Sequence, residues 1–468
     1  MTITMFRPKM PVVAGATLSM ILGCASVHPD KPRGELGELI QERAGASDVI
    51  SEREDQESLD RVRERVDDLI AEPLTVERAI QVGLLNNRRY LATIEELGVA
   101  QADLVQAGLL ENPVLAGDLV NSTKGNGLGG GLSLTTSLLS VFLIPAKRRL
   151  AKSQLAHAVV SAGQASLVLV RDVHAAYAAA QAAAAVLDLQ REQTQAAELA
   201  AELAELQFDA GNVSDLDVQL FAAALDAAKV ALADAQTADR VAHEELGHLL
   251  GLWGARASWT LAPRVVELPP PPRLDDLEQR GIRERLDLSA ERAVVKSIEL
   301  ALELRRRGLV PNVEIGGEAR NEVGDDAGHE WVLGPSLSVE LPIFDPGHAD
   351  FARLRAQLRQ AQHNLQGAAV EARSEIRIQK AKFIAAQEKV SFYREIILPR
   401  AATIAVQTMK RYNAMLVGTY QVLEARTHQV ESEREFVEAL RDYWVARSNL
   451  ELAIGGQLKE SSAAAEEQ

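Results

Sequence analysis

Phe208-Asp209-Ala210-Gly211-Asn212-Val213-Ser214 has a counterpart in Tyr412-Asn413-Ala414-Met415-Leu416-Val417-Gly418, at an offset of 204 residues (412 minus 208). The register holds without a gap to Leu246-Gly247-His248-Leu249-Leu250-Gly251 against Leu450-Glu451-Leu452-Ala453-Ile454-Gly455. Upstream, Gly108-Leu109-Leu110 pairs with Gly308-Leu309-Val310 at an offset of 200 (308 minus 108). The chain is therefore two copies of one plan, and repeats this long are duplicated domains rather than short solenoid units. Pro269 to Pro272 join them as an extended spacer with no helix-forming capacity.

Each copy has the order helix, two strands, very long helix, short break, long helix. In the second copy Val313, Ile315, Gly317, Ala319 and Val323 alternate with Glu314, Gly316, Glu318, Arg320 and Glu322. Leu333, Leu337, Val339, Leu341 and Ile343 then alternate with Gly334, Ser336, Ser338 and Glu340. Period two with one apolar and one polar face describes strands with one wet side. The polar stretch Gly324–Glu330 reads as their turn. In the first copy the pattern is fainter, from Val114 to Val120 and from Leu132 to Phe142. Thr75 can cap a helix from about Val76 to Leu110. From Ala146 to about Phe208 a continuous helix would be roughly 90 Å long. Its positions 182, 185, 189, 192, 196, 199, 203 and 206 step by three and four, a coiled-coil seam, and frequent alanine allows close approach.

Composition agrees. Apolar residues make up 47% of the 468-residue chain but aromatics only 4%, which suits long, closely packed helices. The net charge of −16 argues against nucleic acid, which needs a clustered basic surface. The single cysteine, Cys24, excludes an internal disulfide and a cysteine-rich metal site. It follows Arg7, Lys9 and an apolar run from Met10 to Leu22, the pattern of an export signal. Ile21-Leu22-Gly23-Cys24 resembles the bacterial lipobox, which implies a signal peptide at 1–23 and lipidation of Cys24. Ala25 after it resembles outer-membrane sorting. Residues 24–73, highly charged, read as a lipid-anchored tether with short helical pieces, and 457–468 as a disordered tail. No later segment reaches the ~18–20 unbroken apolar residues of a spanning helix, so a membrane crossing would need a closed β-barrel. Four strands per chain cannot close one. Left open in lipid, the edge strands would expose unpaired backbone at several kcal/mol per group, so membrane strands require assembly. The face carrying Glu314, Glu318, Glu322 and Glu340 would then line a water-filled lumen.

Three stretches carry a family resemblance. Leu74-Thr-Val-Glu-Arg-Ala79 to Asn86-Asn87 is similar to the opening helix of the TolC family of outer-membrane efflux proteins. Gln101-Ala-Asp-Leu-Val-Gln-Ala-Gly108-Leu-Leu-Glu-Asn-Pro113 is similar to its run into the first strand. Ser336-Leu-Ser-Val-Glu-Leu-Pro342-Ile-Phe344-Asp-Pro-Gly347 resembles its exit from barrel to tunnel. Arg88 and Leu286 depart from the family, which often has proline there. The resemblance implies a mainly α fold with a small β part, a homotrimer with a 12-stranded barrel continued by an α-helical periplasmic tunnel. It implies repeats at 74–268 (strand pair 113–143) and 269–456 (strand pair 312–343). It implies passive export with no enzymatic chemistry and no cofactor, in partnership with a periplasmic adaptor, an inner-membrane pump and outer-membrane lipid.

The resemblance also places function on residues. Gly211, Val213 and Ser214, with Val417, Gly418 and Thr419, resemble the hairpin tips that engage the adaptor. Val422-Leu423-Glu424-Ala425 matches a motif whose acidic residues close the aperture; Glu424 stands at one acidic position and Gln421 at the other, with Asp217 a possible substitute. The wording Ala-Asp-Leu-Val-Gln-Ala-Gly-Leu-Leu and the acidic lumen are reminiscent of relatives linked to heavy-metal efflux, with drugs and other small molecules open. Two other readings compete. A lipid-anchored periplasmic adaptor would show one hairpin between halves of a β domain, and a coiled-coil structural protein would not need the alternating strands. Three further signals carry no chemistry. His243 and His248 are five apart, about 140° around a helix, so they cannot share a metal as a zinc-protease pair does. Gly125–Gly131 lies between strands, not before a helix as a phosphate loop does. Arg305-Arg306-Arg307 ends a helix, where cations complement the dipole.

Overall fold

The computed structural model describes residues 30–45, 56–121, 128–263, 268–323, 329–341 and 343–459. Cys24, the signal segment and most of the C-terminal tail lie outside them. Two N-terminal helices, α1 (Asp30–Ala44) and α2 (Gln56–Ala71), precede the duplicated body. The first copy is α3 (Val76–Asn86), α4 (Arg88–Gln106), β1 (Val114–Asn121), β2 (Leu128–Ser137), α5 (Leu138–Asp209) and α6 (Asp215–Leu249). The second is α7 (Leu277–Glu284), α8 (Leu286–Arg307), β3 (Val313–Val323), β4 (His329–Val339), α9 (His348–Phe392), α10 (Leu398–Asn413) and α11 (Thr419–Ile454). One π turn, Tyr393–Ile397, joins α9 to α10. At 1.5 Å per residue the 72-residue α5 is about 108 Å long.

Several boundaries differ from the sequence reading. The opening helix is two helices, because Asn87 adopts an extended conformation and its side chain accepts from the Tyr90 amide. Arg88 and Leu286 are the first residues of α4 and α8, a position where proline's missing donor costs nothing and other residues serve equally well. The strand expected from Leu132 to Phe142 stops at Ser137, which caps α5 by accepting from the Ser140 amide. Leu138, Leu139, Val141 and Phe142 are therefore the first turns of a helix. Similarly β4 runs from His329 to Val339, earlier than the run ending at Ile343. The charged N-terminal segment is docked on the body: Leu36, Ile40, Val66 and Leu69 are buried in the first copy's core. A side chain at Gly163 would meet Leu39 at 2.5 Å and Leu286 at 3.0 Å. This glycine, which costs a long helix about 1 kcal/mol against alanine, admits α1.

Each copy has its own core at the corresponding place. In the first, Leu84, Leu97, Val173, Leu246 and Leu250 meet; in the second, Ile376, Phe383, Tyr443, Leu450 and Ile454 meet. The duplication extends to single contacts. Gly251 (φ +67) ends α6 against Asn86, whose side-chain amide donates to the Leu250 and Gly251 carbonyls at 3.0 and 2.8 Å. Gly455 (φ +81) ends α11 against the bend at Glu284–Arg285, and the Arg285 guanidinium donates to the Ala453 carbonyl at 3.1 Å. Among the described helices, α5 contains a stretch apolar enough to cross a membrane. About 39% of that stretch is buried inside the fold.

Candidate conduction path and hairpin tips

The four strands form one antiparallel sheet in the order β1-β2-β3-β4. The register sorts every strand onto the same two faces. Leu119↔Gly130, Leu115↔Leu134, Leu132↔Ala319, Leu134↔Gly317, Ile315↔Leu337 and Ala319↔Leu333 run across one face. Ala116↔Ser133, Ser133↔Glu318, Ser137↔Glu314 and Glu314↔Ser338 run across the other, together with Asp118 and Arg320. The apolar face is uncovered: Leu119 is 84% exposed, Leu333 78% and Leu115 69%. A contiguous exposed apolar face of this kind marks an interaction surface. The outer edges of β1 and β4 carry no strand partner among the described residues.

Glu314 and Glu318 stand on the polar face as expected. Arg320 lies 3.9 Å from Glu318, so that face is not purely acidic. Glu322 shares their parity in β3, opposite Glu330, and its side chain lies outside the described set. Glu340 stands one residue past β4, where its amide donates to the Asn312 carbonyl at 3.0 Å. It belongs to the sheet–helix junction and not to a strand. Asp118 was missed by the sequence reading, although Leu115 and Leu119 flanking Ala116 and Asp118 carry the same alternation in weaker form.

At the far end, Gly211 (φ +72) turns the chain from α5 to α6. Ser214 caps α6 reciprocally with Asp217: the Asp217 amide donates to Ser214 Oγ, and Asp217 Oδ2 accepts from the Ser214 amide at 2.9 Å and its hydroxyl at 2.7 Å. These bonds, the hydroxyl's first, hold the Asp217 carboxyl below the usual aspartate range. In the second tip Met415 takes the left-handed turn (φ +58), and Gln421 Oε1 accepts from the Gly418 amide at 3.0 Å. Asp217 and Gln421 are thus equivalent cap residues, three past Ser214 and Gly418. Ser214-x-x-Asp217 is a capping signature that the sequence displays openly. Val213, Val417 and Thr419 sit half-buried at the tips, while Gly211, Ser214 and Gly418 are exposed. Leu216, Leu416 and Met415 stand out around them, Met415 at 94% exposure. Phe221 and Tyr420 join the two tips edge to face, with centroids 6.4 Å apart.

Glu424 is exposed one turn beyond Tyr420 and forms no ion pair among the described residues. It lines a groove of about 850 Å³ between α6 and α11, whose walls include Gln190, Asp234, His428 and Glu431. Nearer the tips a more apolar groove of about 600 Å³ opens between Leu203, Phe221, Met409 and Leu423.

A sheet with an uncovered apolar face, a polar opposite face and, among the described residues, two outer edges without a strand partner accompanies two very long helical hairpins. The family model described as outer membrane efflux protein matches residues 79–252 and 278–456, more than half of the chain and one segment per repeat. The chain belongs to the outer membrane efflux protein family, and its function is outer-membrane efflux, as the exit channel of a tripartite system. No curated protein sequence matches it. Among solved structures it is similar to a membrane protein from Pseudomonas aeruginosa, with 19% identity, a TM-score of 0.67, and coverage of 84% of this chain and 92% of that one. It is similar to CusC, studied for the conformational changes accompanying folding and transmembrane channel formation, with 17% identity, a TM-score of 0.67, and coverage of 81% and 92%. It is also similar to the open state of the MtrE outer membrane channel of Neisseria gonorrhoeae, with 15% identity, a TM-score of 0.65, and coverage of 83% and 90%. At such identities the likeness speaks for the fold.

Proposed function

We propose that three copies of this chain close a 12-stranded barrel, with each β4 pairing with β1 of the next copy, and that the helices below continue it as a periplasmic tunnel. The observation that carries this reading is the sheet itself: the strands place Leu115, Leu119, Leu132, Leu134, Ile315, Ala319, Leu333 and Leu337 on one uncovered face, and Asp118, Ser133, Glu314, Glu318, Arg320 and Ser338 on the other. Only closure satisfies the free edges in lipid, and closure turns the polar face into a wet lumen.

The remaining assignments rest on the sequence resemblances. Cys24 carries the lipid anchor in the outer membrane. The exposed tips around Gly211, Val213, Ser214, Val417, Gly418 and Thr419 dock a periplasmic adaptor, which couples the duct to an inner-membrane pump. Glu424 contributes the acidic ring at the aperture; Asp217 and Gln421 serve there by shaping the tips. Purified protein should run as a trimer by native mass spectrometry and give stable ion conductance in planar bilayers. A folded trimer without conductance would overturn the duct.

A further inference from the structure

All four junctions between sheet and helices carry an exposed apolar pair. These are Leu109-Leu110 before β1, Val141-Phe142 after β2, Leu309-Val310 before β3 and Ile343-Phe344 after β4, with Phe344 98% exposed. They continue from the uncovered apolar face of the sheet. Just below them lie cations. Lys147, Arg148, Arg149 and Lys152 occupy the third and fourth turns of α5, whose residues from Leu138 to Val170 include no Asp or Glu. Arg306 and Arg307 end α8.

Some of this charge is matched locally. Lys147 pairs with Glu111 at 2.9 Å, Arg149 with Glu303 at 3.6 Å, and Arg307 with Glu303 at 2.5 Å. Arg148, Lys152 and Arg306 are exposed and pair with no acid among the described residues. A cleft of about 700 Å³ opens at the same level, with Lys147, Arg305, Leu309 and Phe344 on its walls beside Glu111, Glu340 and Asp345. In a chain of net charge −16, unpaired cations gathered at one height beneath an apolar rim need an explanation that helix dipoles supply only for Arg306.

The geometry points to a collar that binds anionic phospholipid of the periplasmic leaflet, the apolar pairs entering the acyl boundary and the cations holding headgroup phosphates. This inference rests on the barrel reading. Lys147 lies nine residues into α5, roughly 14 Å below the sheet, and the headgroup layer is about 5–8 Å thick on each side. Side chains in a helix lean toward its N-terminus, and the N-terminus of α5 is the sheet end. The long cationic side chains of α5 therefore reach upward, as snorkelling cations do, while Arg306 stands at the sheet end of α8 itself. Each cation near an anionic surface strengthens attachment about fivefold.

The test uses the full-length trimer. Extracted from vesicles of equimolar phosphatidylglycerol and phosphatidylcholine, it should retain phosphatidylglycerol at least about fivefold over phosphatidylcholine in native mass spectra, from the cation contribution above. Arg148→Gln/Lys152→Gln/Arg306→Gln should abolish that preference, while Lys229→Gln on α6 should leave it intact. Equal retention of the two lipids by the wild type, or an undiminished preference in the triple variant, overturns the collar. Should the triple variant misfold, Phe344→Cys carrying a fluorophore, in a Cys24→Ser background with an ordinary signal peptide, decides: quenching by brominated lipid supports the collar, and its failure overturns it. A trimer that conducts but shows no lipid preference removes the collar alone; one that neither inserts nor conducts removes the barrel reading as well.

Discussion

Asn86 and Gly251 show how much one contact fixes. The glycine's left-handed backbone and the 2.5 Å approach of its would-be Cβ to the Asn86 carbonyl leave no room for a side chain. Gly251→Ala should destabilise the protein by about 1–2 kcal/mol from backbone strain alone, with the clash adding to it, and thermal denaturation will measure the loss. Gly455→Ala, the equivalent change, should behave alike. His174 on α5 is a second such point. Burial pushes its pKa down to about 4, against the attraction of Glu77 on α3 and with help from Arg447 on α11. It shares a small cleft with Arg43, Arg171 and Glu451. The unfolded chain binds this proton more readily, so the stability from neutral His174 is complete above pH 6.5 and lost as pH falls toward 4, by a few kcal/mol. His174→Gln should flatten that acid limb in a pH series of denaturation midpoints. Neither role was legible in the sequence. Asn86-Asn87 stood out as wording, but its partners lie more than 160 positions away, and a histidine in an alanine-rich run gives no sign of its surroundings.

At the level of elements, legibility tracked periodicity. The alternation from Val313 to Ala319 specified a strand and its two faces because apolar residues or glycine at odd positions exchange with Glu314 and Glu318. Leu138 to Phe142 did not, since four apolar residues in five fit a strand end or a first helical turn, and only the Ser137 cap decides. The long helices were visible as three–four steps, whereas the π turn at Tyr393–Ile397 was not, although Pro399 just beyond it removes a donor and favours such a local readjustment. The sheet faces make opposite predictions. Leu333→Arg puts a charge on the face that the proposed barrel turns to lipid, which costs about 2–4 kcal/mol at the bilayer midplane, and should reduce folded trimer recovered from outer membranes. Glu318→Gln on the polar side should leave trimer yield unchanged while altering ion selectivity in bilayer recordings. Equal damage from both would mean that the faces are assigned wrongly.

For the whole molecule, the decisive variable is the narrowest point of the duct. If α11 lines it, threefold symmetry turns each Glu424 into a ring of charge, and charged rings in a narrow pore select ions by field. Glu424→Lys should shift reversal potentials toward anions and change conductance; an unchanged current–voltage curve would remove Glu424 from the aperture. The resemblance had placed Asp217 and Gln421 in the same ring, and their capping bonds give them a local task.

The seam between β2 and β3 crosses from one repeat to the other. It joins the second strand of one repeat to the first strand of the other, inside a single chain, over register pairs from Gly130↔Asn321 to Ser137↔Glu314. The proposed contact between β4 and β1 of a neighbour joins the same two kinds of edge. One covalent chain therefore carries a finished specimen of the joint it must make with strangers. Tethering the repeats in pairs also changes the kinetics of the proposed assembly: a ring of six like parts then needs three bodies to meet, and half of its joints form at the effective concentration of a tether rather than at that of free subunits.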